Sequence, residues 1–247
     1  MPTIRGTTTL VGILGWPVAH SLSPSLQNAA FEALGLDWAY VPLPVAPDGL
    51  ASAVRGLAAA GFAGVNVTIP HKTAVVGLCE EVEDAAREAD SVNTLVFAPG
   101  GVLGSSTDVA AVEQALAPGP GAALVLGAGG SAKAAAAALV RRGYGVAVSS
   151  RRDEDWPPSA AEYDVVVNAT PVKDSALVEL RAGQVAVDLP YNADGSPTAF
   201  SSAAREASAT VVDGLTILLA QGALSFERWT GRRAPLDAMR AALPGAG

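Results

Sequence analysis

A single cysteine, Cys79, leaves the chain with no intrachain disulfide and no cysteine metal cluster. Two histidines, His20 and His71, are too few for an ordinary zinc site without carboxylates, so no metal is expected. Positive charge is scarce: 16 Lys and Arg stand against 24 Asp and Glu, for a net charge of −8. Such a surface repels phosphate backbones, which argues against nucleic acid as a partner. An anionic ligand would have to be met by local features, either those few cations or a helix N-terminus. Long apolar runs are missing as well. Ala134–Val140 and Gly214–Ala220 fall far short of the ~20 residues of a membrane span. The opening residues Met1-Pro2-Thr3-Ile4-Arg5-Gly6 lack the charged and apolar regions of a signal peptide. A soluble, cytoplasmic protein is expected.

What is present is a large apolar fraction, 50% of 247 residues, enough for one large core or two modest ones. Residues 9–15 read as a buried strand. Ser23-Pro24 opens a helix, with Ser23 as N-cap and Pro24 at the first helical position, and Gly35 ends it. A strand over 38–43, a turn at Pro47-Asp48-Gly49, a helix over 50–60 and a strand over 64–68 follow. Residues 71–78 and 82–88 look helical, and 91–97 with 102–104 reads as a hairpin. This alternation predicts an α/β layer domain. After a helix over 108–116, Pro118-Gly119-Pro120-Gly121 breaks the chain. Strands at 122–126, 146–149, 165–168, 185–188 and 210–212, with helices at 132–142 and 197–207, predict a Rossmann-like parallel sheet. Helices over 214–229 and 235–243 close the chain.

Two stretches carry candidate chemistry. The first is Asn66-Val67-Thr68-Ile69-Pro70-His71-Lys72. Pro70 has a fixed φ and no N–H, so the strand stops there or a helix starts. Asn66, Thr68 and Lys72 are left at the strand mouth, although a lone lysine is more often a solvated charge. The second is Gly127-Ala128-Gly129-Gly130-Ser131-Ala132, a glycine turn between strand and helix. Glycines let backbone approach a pyrophosphate, and the helix N-terminus supplies N–H groups. An acid about 20 residues further on would hold an NAD ribose. Ser150-Arg151-Arg152 occupies that point instead, and guanidinium forks suit the 2′-phosphate of NADP. Asp153 and Glu154 come directly after, and either could reach a 2′-hydroxyl and permit NAD.

Several separated motifs agree on one resemblance. Gly15-Trp16-Pro17-Val18-Ala19-His20-Ser21-Leu22-Ser23-Pro24, the Asn66–Lys72 stretch, Val92-Asn93-Thr94 and Thr107-Asp108 form one series. The glycine turn, Asn168-Ala169-Thr170, Asp188-Leu189-Pro190-Tyr191, Asp213-Gly214-Leu215, Gln221-Gly222-Ala223 and Trp229-Thr230-Gly231 continue it. In order and spacing the chain resembles the shikimate dehydrogenase family. The resemblance implies NADPH-dependent, reversible reduction of 3-dehydroshikimate to shikimate, in chorismate and aromatic amino acid biosynthesis. It implies two α/β domains: residues 1–105, completed by helices within 215–247, for substrate, and residues 106–214, Rossmann-like, for NADP(H). The active site would lie in the cleft between them.

The same resemblance distributes roles. Lys72 and Asp108 would be the catalytic pair. Ser21, Ser23 and Thr68 would hold the substrate carboxylate, and Asn66, Asn93 and Gln221 its ring hydroxyls. Gly127, Gly129, Gly130, Ser131 and Ala132 would cradle the pyrophosphate, and Ser150, Arg151 and Arg152 the 2′-phosphate. Ala169 and Thr170 would lie beside the cofactor, with Tyr191 and Gly214 at the nicotinamide. The chain is expected to act as a monomer or homodimer. It departs from the family at Gln27, where a histidine is common, at Ser106 and Val109 beside Asp108, and at Ser150-Arg151-Arg152 in place of Asn-Arg-Thr. The rival readings are an NAD-dependent quinate/shikimate dehydrogenase and a non-catalytic paralogue that binds shikimate or nucleotide. The retained Lys72 and Asp108 argue against the second.

Overall fold

A computed structural model describes residues 3–245. In chain order the elements are β1 (Thr9–Gly15), α1 (Ser23–Ala33), β2 (Trp38–Pro44), α2 (Leu50–Ala59), β3 (Gly64–Val67), β4 (Glu81–Val82), α3 (Asp84–Glu88), β5 (Thr94–Ala98), β6 (Gly101–Ser105) and α4 (Thr107–Ala115). They continue as β7 (Ala122–Leu126), α5 (Gly130–Arg141), β8 (Gly145–Ser149), β9 (Val165–Asn168), β10 (Val185–Asp188), α6 (Ala199–Glu206), β11 (Thr210–Val212), α7 (Gly214–Thr230) and α8 (Leu236–Ala241). The chain divides into two compact units. One runs to Thr107 and resumes at Leu218; the other is Asp108–Ile217.

The first unit is built on a six-stranded mixed sheet in the order β2-β1-β3-β5-β6-β4. β1 pairs in parallel with β2 and β3, and β5 runs antiparallel to β3 and β6. β3 is buried at every position, so it reads as a continuous apolar run broken only by Asn66. One core packs Leu14, Val65, Val67 and Leu95 of the sheet against Leu50 and Val54, an i, i+4 pair on α2. Each such side chain contributes ~1.5–3 kcal/mol of burial. On α7, Phe226 stacks on Phe31 of α1 at 5.4 Å, and the Trp229 ring N–H donates to the Leu95 carbonyl at 3.0 Å.

The second unit is a five-stranded parallel sheet in the order β11-β10-β9-β7-β8. Alanines make α5 thin enough to lie close on it: Ala132, Ala134, Ala135 and Ala138 are all buried. Between β8 and β9, residues 150–164 contain neither helix nor strand. The expected α/β architecture, with a Rossmann-like parallel sheet, is therefore present.

Three local expectations need correction. Residues 71–78 are not an α-helix: a 3-10 turn covers only Ala74–Leu78. Val82, expected to open a helix, instead forms with Glu81 a strand that pairs in parallel with β6, and α3 begins only at Asp84. Ser23 is not the N-cap of α1. It is the first helical residue, and its N–H is accepted at 3.2 Å by the Ser21 hydroxyl.

Gly64 lies where α7 meets the sheet. A Cβ there would press on the Leu95 carbonyl and come within 2.7 Å of Trp229 Cδ1. Gly64→Ala is therefore expected to destabilise the first unit by roughly 2–3 kcal/mol. Urea unfolding followed by tryptophan fluorescence checks this, and an unchanged midpoint would contradict the close approach.

Candidate active site

In the first unit the predicted residues are tied together through backbone. The Thr68 N–H donates to the Leu14 carbonyl at 2.9 Å, and the His71 N–H donates to the Thr68 carbonyl at 2.9 Å. These bonds fold the loop from β3 back on itself and bring Lys72 beside Val92, whose N–H donates to the Lys72 carbonyl at 2.9 Å. His71 is buried, with Nε2 at 2.8 Å from the Val45 carbonyl, so it props the loop. Asn93, the residue after Val92, carries several bonds. Its carbonyl accepts the Val67 N–H at 2.8 Å, and its own N–H donates to the Ser105 carbonyl at 3.1 Å. Its side-chain oxygen accepts the Thr107 N–H at 2.7 Å, and its amide nitrogen donates to the Thr107 hydroxyl at 2.8 Å and to Gln221 Oε1 at 3.3 Å. Asn93, the residue before β5, thus satisfies a first-turn N–H of α4, and Asp108 follows Thr107 directly. Lys72, Asn93, Thr107 and Gln221 are thereby joined in one framework. Ser21 and Ser23 sit at the start of α1 and bond each other, with Ser23 buried and Ser21 half-buried.

Asn66 differs from the expectation that it meets a ring hydroxyl. It is 4% exposed, and its amide nitrogen donates to Thr94 Oγ1 at 3.0 Å, Ser225 Oγ at 2.9 Å and the Asn93 carbonyl at 3.2 Å. Its oxygen accepts the Tyr40 hydroxyl at 2.8 Å. Two amide hydrogens already serve three acceptors, so none is left for a ligand. Tyr40 and Ser225 were not singled out from sequence, and Thr94 stood in the Val92-Asn93-Thr94 motif with no role given to it. The available signal was a hydroxyl interrupting an apolar run, as Ser225 does in Gly222-Ala223-Leu224-Ser225-Phe226. Gln27, where the family has histidine, is fully buried and donates to the Gly222 carbonyl at 2.8 Å, one residue from Gln221.

In the second unit the candidates gather along the carboxyl ends of neighbouring strands. Leu126 is in register with Ser149 on one side and Asn168 on the other, and Asn168 with Asp188. In open α/β sheets this row is where ligands bind. The Gly127 N–H donates to the Ser149 carbonyl at 2.7 Å, and the Ala169 N–H to the Leu126 carbonyl at 2.9 Å. Gly127 has φ +125°, and a Cβ on it would meet the Ala169 carbonyl at 2.9 Å, so glycine is required. The Thr170 N–H and hydroxyl both donate to Asn168 Oδ1, at 3.0 and 2.7 Å. Gly214 lies against the Leu189 and Pro190 carbonyls, beside Tyr191, and Tyr191, Gly214, Asp188 and Arg205 line one pocket.

The residues of both units agree with known relatives. Residues 13–95 match the family model of the shikimate dehydrogenase substrate binding domain, and residues 214–243 that of the shikimate 5′-dehydrogenase C-terminal domain. A shikimate dehydrogenase (NADP(+)) of Anaeromyxobacter sp. (strain Fw109-5) is 45% identical, over 99% of each chain. The chain belongs to the shikimate dehydrogenase family. Two solved members of that family superpose closely. A shikimate dehydrogenase in complex with NADP+ has a TM-score of 0.87 at 28% identity, over 97% of this chain and 96% of the other. The Thermus thermophilus shikimate 5-dehydrogenase in complex with NADP(H) and shikimate has a TM-score of 0.81 at 32% identity, over 95% and 98%.

For a shikimate dehydrogenase, the second unit has a suitable cradle for a dinucleotide. α5 starts at Gly130 with no side chain capping it, and a Cβ on Gly129 would meet nothing within 4 Å, so space stands open above the helix start. Gly127, Gly129, Gly130, Ser131 and Ala132 present backbone there to a pyrophosphate. A residue not assigned from sequence supports the rest of the row. Asp188 is fully buried and accepts hydrogen bonds from Asn168 Nδ2 at 2.9 Å, from the Ser201 hydroxyl at 2.7 Å and from the Thr198 hydroxyl. It links the Asn168–Thr170 corner to the first turn of α6, where Thr198 is the N-cap. The polar endings of Val165-Val166-Val167-Asn168 and Val185-Ala186-Val187-Asp188 were the signal for this pair.

Burial pushes the Asp188 carboxyl above its usual range. Its three hydrogen bonds oppose the shift, and the nearby Asp213 charge adds to it. A carboxyl raised in the folded state binds its proton more tightly there than in the unfolded chain. Its stabilising contribution is full below the ordinary Asp range and is lost as pH rises through the folded value. Asp188→Asn is expected to flatten this pH dependence of unfolding and to cost about 1–2 kcal/mol by mispairing one donor. Thermal melting across pH 3–8 checks it; parallel curves for the two proteins would contradict the assignment.

Proposed function

We propose that this chain catalyses the NADPH-dependent, reversible reduction of 3-dehydroshikimate to shikimate, a step toward chorismate and the aromatic amino acids. The first unit binds the substrate and the second NADP(H). The observation that carries the reading is the Asn93 framework, which joins the Lys72 loop to the residue before Asp108. The protein works in the cytoplasm as a monomer or homodimer.

Ketone reduction needs a hydride, which NADPH supplies when bound, and a proton for the developing alkoxide. Lys72 is the proton donor: its ammonium stabilises negative charge on the former carbonyl oxygen and gives up a proton to it. Asp108 holds that ammonium in place. Ser21, Ser23 and Thr68 bind the substrate carboxylate, with the start of α1 behind them, where the first-turn N–H groups favour an anion. Asn93 and Gln221 bind ring hydroxyls, since an amide both donates and accepts. Asn66 holds the framework from inside. Arg151 and Arg152 bind the 2′-phosphate with Ser150. Ala169 and Thr170 flank the cofactor, and Tyr191 and Gly214 line the nicotinamide pocket.

Two variants and one assay matrix test this reading. Lys72→Ala is expected to lower turnover by roughly two or more orders of magnitude, the usual weight of a positioned acid. Its NADP affinity, read by fluorescence titration, should stay nearly unchanged; equal turnover would remove the lysine from the mechanism. Arg151→Ala is expected to weaken NADP by about tenfold or more and NAD far less, since charge-assisted pairs are the strong ones. An unchanged ratio would contradict the 2′-phosphate assignment. Steady-state kinetics of the unmodified protein with shikimate and quinate, each with NADP and NAD, tests the whole. A preference for quinate and NAD, or binding without turnover, would overturn it.

A further inference from the structure

The turn after β8 carries opposed signals. Arg151 and Arg152 suit a 2′-phosphate, while Asp153 and Glu154 stand where an acid can take a ribose 2′-hydroxyl. The Asp153 carboxylate is turned back on its own loop. Oδ2 accepts the Ser150 N–H at 2.8 Å, and Oδ1 lies 3.5 Å from the Ser150 hydroxyl. The Asp153 N–H donates to the Ser150 carbonyl at 2.9 Å, and the Arg152 N–H to Ser150 Oγ at 3.3 Å. Residues 150–153 are thus one closed β-turn, locked at both ends, with the two arginines at its central positions. Both arginines are exposed, and among the described residues neither is ion-paired. The turn is fixed to the phosphate cradle as well, because Ser149 accepts the Gly127 N–H at 2.7 Å.

We propose that Asp153 is a positioning residue that determines NADP specificity: it closes the turn that presents Arg151 and Arg152 to the 2′-phosphate and does not bind the ribose. The proposal rests on the reading of Arg151 as a phosphate ligand. Two effects of the carboxylate compete. Its charge repels a phosphate, but exposed charges are screened over about 8–10 Å in physiological salt, and two guanidiniums outnumber it. Its hydrogen bonds remove turn conformations that binding would otherwise have to order. Preorganisation is the larger effect here, because both carboxylate oxygens are engaged with Ser150.

The test is the ratio of kcat/KM for NADP+ to that for NAD+, with shikimate, in the full chain and in Asp153→Ala, Asp153→Asn and Arg151→Ala. A general loss of stability leaves this ratio in place. Asp153→Ala is expected to lower it by about fivefold to tenfold, the scale of a lost capping bond, through NADP+ alone. Asp153→Asn should keep the preference within about twofold, since its amide oxygen still accepts the Ser150 N–H. A higher ratio in Asp153→Ala through lost NAD+ use would make the acid a ribose ligand; a higher ratio through improved NADP+ use would make it only a repelling charge. Either result overturns the proposal, as does an unchanged ratio while Arg151→Ala lowers it. If Arg151→Ala leaves the ratio unchanged, the phosphate reading itself fails and Asp153 falls with it.

Discussion

The first unit depends on one buried side chain, Asn93. Its main chain closes the sheet between Val67 and Ser105, and its side chain reaches Thr107 and Gln221. An amide can accept from a helix N–H and donate to an amide oxygen at the same time. An aspartate at this point could not donate, and a leucine would leave the Thr107 N–H without its partner. Unpaired buried donors cost about 1–3 kcal/mol each, so the framework holds together as a unit or comes apart as one. Asn66 extends it inward to Tyr40 and Ser225.

The second unit solves a different problem. A parallel sheet brings strand ends into a row, and every residue in that row must be oriented without help from a hairpin. Here the orientation comes from polar residues that end apolar strands. Asn168 fixes Thr170, Asp188 fixes Asn168, and the same carboxylate ties in the start of α6. Keeping such a group buried costs desolvation, which shows as its raised proton affinity. Stability is given up there in return for fixed corners along the row of strand ends.

Much of this was legible in the sequence, for physical reasons that differ by element. Strands β7, β9 and β10 are unbroken apolar runs because a parallel sheet is covered on both faces. The glycine turn was legible because backbone must approach backbone, as Gly127 does to Ala169. What stayed hidden was the partner choice of polar side chains. Nothing in the periodicity of β3 says that Asn66 bonds Ser225, 159 residues away. Ser23 was visible as an N-cap candidate, but the helix begins one residue earlier than that, with Ser23 already inside it and Leu22 at the cap position. Glu81-Val82 was missed because a two-residue edge strand has no period to detect. Asp153 was visible as an ambiguity, and only the direction of its carboxylate separates the alternatives.

The discontinuity of the first unit has a consequence for how the protein is made. Chains emerge from the ribosome amino end first, and domains ordinarily fold in that order. Here Asp108–Ile217 is one uninterrupted stretch, so the unit second in sequence is the first to be complete. The earlier residues must wait. The Asn66 amide and the Leu95 carbonyl find Ser225 and Trp229 only after another 159 and 134 residues have been added. Until α7 arrives, the polar groups of the first sheet lack these partners. The first unit is therefore completed only once α7 has been made, and a chain stopped short of α7 leaves Asn66 and Leu95 without those partners.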